Sequence, residues 1–92
     1  MKLLESIFAS KSQAKLINLF FQNPNQSFYQ RQLVHQTGES LGSIQYEIKR
    51  LIGINLLTFE KEKRKIYYKL NRDFYLYPEL RDIVIKTAQK NL

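Results

Sequence analysis

Between Tyr29 and Leu51 the chain carries two short apolar-periodic segments separated only by Thr37-Gly38-Glu39-Ser40, and this spacing constrains the fold more than any other feature. Tyr29 to Thr37 turns Leu33 and Val34 inward and leaves Gln30, Arg31, Gln32 and His35 polar, the pattern of a short amphipathic helix. Gly38 follows as the residue best able to take a positive φ where a helix ends. Ser40 then caps a second helix, whose apolar positions Leu41, Ile44, Ile48 and Leu51 form one face directed at the core, and Gly53 ends it. Two helices joined by so tight a turn make a helix-turn-helix over about residues 29–52.

The rest of the chain supplies what this pair packs against. At 92 residues there is room for one small domain and one core. Lys2 to Phe8 places Leu3, Leu4, Ile7 and Phe8 at helical spacing. Ser10 with Gln13 is a capping-box pattern opening a helix to about Gln22, and Leu16, Ile17, Leu19, Phe20 and Phe21 cover most of its circumference, so it is the central core helix. Asn23-Pro24-Asn25 stops it. Over about residues 56–70, two strand-like runs flank a polar, basic tip without Gly or Pro, which predicts a hairpin with a longer turn. Pro78 opens a terminal helix to about residue 90, with Leu80, Ile83, Val84, Thr87 and Ala88 on one face and Ile85 outside it. The fold class is therefore mainly α with one β-hairpin.

Charge is unevenly distributed. The net charge is +7, and residues 49–72 hold eight bases against two acids, so about a quarter of the sequence carries +6 of it. A basic segment beside neutral flanks is the footprint of a polyanion-binding face, although lysine-rich hairpins also occur on proteins that bind nothing. Cysteine is absent and histidine occurs once, as His35, which leaves no thiolate chemistry and argues against a metal site or a cofactor. No Ser/His/Asp constellation, phosphate-cradling glycine loop or close carboxylate pair suggests an enzyme. No apolar run is long enough to span a bilayer and no signal-like stretch develops, so the expectation is a cytoplasmic protein without a membrane partner.

The order of elements and the residues from Phe28 to Leu51, followed by Gly53-Ile54-Asn55-Leu56-Leu57 and the hairpin ending Tyr67-Tyr68-Lys69-Leu70-Asn71, resemble the winged helix-turn-helix of ArsR-type regulators. The chain is also similar to the small winged-helix domains found alone or ahead of nucleotidyltransferase domains, which share the entry Leu76-Tyr77-Pro78-Glu79-Leu80-Arg81. The resemblance runs from about Leu4 to Thr87 and implies binding of double-stranded DNA. Metal sensing does not carry over without cysteines, and the sequence holds no transferase half.

In such a motif the second helix enters the major groove with its N-terminal half leading. The candidate DNA-binding residues there are Ser40, Gly42, Ser43, Gln45, Tyr46, Lys49 and Arg50. Gln45 suits an adenine edge, Ser43 a base or phosphate, Tyr46 a thymine methyl or phosphate, and Gly42 allows close approach. Lys61, Lys63, Arg64 and Lys65 have the charge and reach for phosphates or, for Arg64, the minor groove. Tyr29, Gln30 and Arg31 start the preceding helix and can clamp the backbone. Useful specificity calls for two copies, and Leu3, Ile7, Leu80, Ile83, Val84 and Thr87 are the candidate homodimer interface. The competing reading is a winged-helix adaptor for a separately encoded partner enzyme, without DNA binding. The bland reading of each residue is the polar side of an amphipathic helix or a solvated charged hairpin.

Overall fold

The computed structural model describes residues 8–90. The chain runs α1 (Lys11–Gln22), α2 (Gln30–Thr37), α3 (Leu41–Gly53), β1 (Leu57–Glu62), β2 (Lys65–Leu70) and α4 (Tyr77–Lys90). Helices followed by an antiparallel two-stranded hairpin and a closing helix make a winged helix-turn-helix. The expected amphipathic stretch with Leu3 and Ile7 lies outside the described residues.

Helix α1 is the hub. Ser10 accepts the Gln13 N–H at 3.0 Å, while the Gln13 side chain accepts the Ala9 N–H at 3.1 Å, so the reciprocal cap closes one residue earlier than the usual capping box. At the other end the Asn23 side chain donates to the Leu19 carbonyl at 2.9 Å. The helix packs against α2, α3, α4 and β2, which is why Ala14, Leu16, Ile17, Phe20 and Phe21 are all buried. Phe20 meets Phe28 edge-on with centroids 5.4 Å apart, and Phe21 meets Tyr77 at the same separation, tying the start of α4 into the core.

The hairpin is stemmed by Leu57, Tyr68 and Leu70, which are buried on its inner face. Phe28 adds a one-residue third strand, exchanging both backbone hydrogen bonds with Tyr68 at 2.9 and 2.7 Å. Because side chains alternate along a strand, Phe28 and Tyr68 enter the core while Tyr29 and Tyr67 meet on the other side. The turn is shorter than expected. Glu62 pairs with Lys65, leaving a two-residue connection, Lys63-Arg64. Lys63 takes φ 57° in place of a glycine, so no extra residues are needed to reverse the chain.

Two further expectations are corrected. Leu41 does not face the core: it is 50% exposed, and the buried stripe of α3 is Ile44, Glu47, Ile48 and Leu51. Leu41 lies at the edge of that stripe, in the first turn. In α4, Val84 and Thr87 are buried within the chain's own core and so offer no free surface to a partner, whereas Ile83 and Ile85 are exposed and Leu80 is partly covered.

Candidate nucleic-acid interface

The turn between α2 and α3 is built from local chemistry. Gly38 takes φ 72° and returns its N–H to the Val34 carbonyl at 2.9 Å, which closes α2. Thr37 donates its hydroxyl to the Leu33 carbonyl at 2.7 Å and accepts the Glu39 N–H at 3.2 Å. Ser40 then accepts the Ser43 N–H at 3.2 Å and donates to the Ser43 hydroxyl at 3.0 Å, so both serines at the head of α3 serve the cap first.

Two polar latches set the rotation of this pair on α1. Glu39 accepts from Ser12 at 2.6 Å and from Lys15 at 2.9 Å, and Lys15 also donates to the Thr37 carbonyl at 3.2 Å. The Ser12 hydrogen bond, followed by that from Lys15, holds the Glu39 carboxyl below its ordinary value. One turn and a half into α3, the buried Glu47 accepts from Ser10 at 3.0 Å and from Gln13 at 3.2 Å. A buried carboxylate here is satisfied by two neutral donors at the N-terminal end of α1, where the helix dipole also favours negative charge. With Glu47 and the apolar stripe turned inward, the opposite face is fixed outward.

That face presents the expected residues together. Gly42, Gln45, Tyr46, Lys49 and Arg50 are exposed, and Ser43 is half-buried beside them. Gly42 has open space where a Cβ would stand, so another surface can approach the helix backbone closely there. The Arg50 guanidinium lies 5.7 Å from the Tyr46 ring centroid. Gln45 donates to the side chain of Gln30, another of the expected clamp residues, at 3.2 Å, a pairing that spacing along the sequence does not reveal.

On the wing, Lys61, Lys63, Arg64 and Lys65 are exposed around the tip. Glu62 faces Lys65 across the hairpin, yet among the described residues neither Glu60 nor Glu62 forms an ion pair with these bases. Tyr29, half-buried, is held between Tyr67, edge-on at 5.8 Å, and Lys65, whose ammonium lies 3.9 Å from the Tyr29 ring centroid. Tyr29 thus braces the wing against α2, and Arg31 beside it is exposed. Helix α3 and the wing thus each carry an exposed polar or cationic surface, and the concavity beside the wing is lined from α3 by Leu41.

No family model and no curated protein matches the chain. Among solved structures it is similar to RV1404 from Mycobacterium tuberculosis, with 17% identity and a TM-score of 0.58 over 88% of this chain. The chain spans 58% of the length of that one. At this identity the likeness is one of fold.

Proposed function

We propose that this protein binds double-stranded DNA sequence-specifically as a homodimer and acts as a transcriptional regulator of the ArsR-like winged-helix kind. In this reading Gln45, Tyr46 and Ser43 read base edges, with Gly42 allowing close approach, while Lys49, Arg50, Arg31 and the wing bases hold phosphates. Ser40 contributes by setting the head of α3, and Tyr29 by bracing the wing. The observation that carries the reading is the shared outward face of Gly42, Gln45, Tyr46 and Lys49, together with exposed wing cations that no carboxylate pairs among the described residues. With no cysteine and one histidine, the reading does not extend to metal sensing.

The test is selection from a random duplex library with the purified chain, followed by titration of the selected site across salt. Neutralising about three to five phosphates per protomer gives a dimer a log–log salt slope of about −5 to −9. A slope near zero, or no binding at low salt, overturns the proposal in favour of a protein-binding adaptor.

A further inference from the structure

Between the start of α2 and the wing lies a cavity of about 710 Å³, inside the range of about 300–1,000 Å³ typical of small-molecule sites. Among the described residues three cations line it, Arg31, Arg64 and Lys65, and no acidic residue does. Its remaining lining is largely apolar. Val34 and Tyr68 contribute from the edge of the core, and Leu41 and Ile66 are 50% and 41% exposed there. One wall is rigid, because Tyr29 is wedged against Tyr67 and carries the Lys65 ammonium on its face. An apolar lining with a few fixed charges of one sign selects a ligand that has both a body to desolvate and a single opposite charge.

We infer that this cavity binds a small amphipathic anion, an oxyanion head on a flat or acyl apolar body, and that its occupation excludes duplex DNA. The head sits among Arg31, Arg64 and Lys65, and the body covers Leu41 and Ile66. The exclusion rests on the proposed DNA-binding function, since the same three cations are assigned to phosphates there. Such a ligand releases the protein from DNA without any change of fold, by competing for charge.

The experiment is a titration of the full chain, followed through its backbone amide resonances, with 1-naphthoate and 1-naphthyl phosphate as probes and with neutral 1-naphthamide and inorganic phosphate as controls. Both anionic probes should saturate and shift the amides around Tyr29 to Val34 and Arg64 to Tyr68, each control binding about tenfold or more weaker. Ile66→Ser and Arg31→Ala, both at exposed positions, should each weaken naphthoate by about threefold or more while the spectrum stays that of the folded chain. Preference for naphthoate or naphthyl phosphate identifies the head. Naphthamide binding as tightly as naphthoate, inorganic phosphate binding as tightly as either probe, or shifts centred elsewhere overturns the site. Duplex DNA should displace the probe. Simultaneous, independent binding of probe and DNA overturns the exclusion; probe binding by a chain that never binds DNA upholds the site, while overturning the exclusion and the proposed function.

Discussion

Glu39 shows how one side chain fixes a motif. It sits in the turn between α2 and α3, yet its hydrogen bonds reach back to Ser12 and Lys15 on α1. Its carboxyl is held below the ordinary value of 4.5, so the folded state releases that proton more readily than the unfolded chain does. The resulting stabilisation is complete above the unfolded value and is lost as pH falls through the lowered folded one. Glu39→Gln, which keeps the shape and loses the charge, should cost about 1 kcal/mol at neutral pH and remove this part of the acid sensitivity. Urea unfolding at pH 7 and at stepwise lower pH checks both; equal losses from wild type and variant on acidification would contradict the assignment. Lys63 raises the opposite expectation. Its φ of 57° is costly for a side chain with a Cβ, so Lys63→Gly should raise stability by about 0.5 kcal/mol in thermal unfolding, glycine's extra unfolded-state entropy offsetting the rest. A drop would mean that the turn is not strained.

At the scale of elements, α3 puts stability and function in opposition. Gly42 lies within the helix with nothing near the position of a Cβ, so Gly42→Ala should raise stability by about 0.5–1 kcal/mol in urea unfolding while weakening the proposed DNA binding, in which the duplex approaches the helix backbone at this position. Unchanged DNA affinity would place the reading surface elsewhere. Helix α3 and the wing should also separate in their effects. Gln45→Ala should cost about 1–3 kcal/mol on the selected site and relax choice at one position; Arg64→Ala should weaken selected and random duplexes alike and lower the salt slope by about one unit per protomer. Competition binding decides, and the reverse pattern would make the wing the reader. The helices themselves were legible in the sequence because their signals are local: Ser10, Gly38 and Ser40 mark the ends, and apolar spacing marks the faces. What was not legible depended on distant partners. Nothing in the local pattern marks Glu47 as a buried residue, because its hydrogen-bond partners Ser10 and Gln13 lie 37 and 34 positions away. Leu41 matched the apolar spacing, but spacing does not say how far along a helix its neighbours extend. The one-residue strand at Phe28 is too short to have a pattern. The tight wing turn carried no glycine to announce it.

For the whole molecule, the proposed dimer has to be built from what the core leaves over. Val84 and Thr87 are spent inside the chain, so among the described residues of α4 the large exposed apolar side chains are Ile83 and Ile85, each 40% exposed. Sedimentation at micromolar concentration should give twice the 11.0 kDa of one chain, and Ile83→Glu should return it to a monomer without loss of helical signal. A wild-type monomer would rule out the dimer. The bridge between Phe28 and Tyr68 joins the wing to the residue just before Tyr29, while beyond the buried stem the tip projects with every residue from Thr58 to Ile66 exposed. The protein therefore has helix α3 latched to α1 and a charged arm held at its root by the Phe28–Tyr68 bridge and braced nearer the tip by Tyr29 against Tyr67 and Lys65. In the proposed complex the arm can grip a phosphate strand before the helix is aligned, after which docking of α3 is an intramolecular step governed by local concentration at the end of a short tether. Search along the duplex then becomes a matter of letting go with one hand at a time.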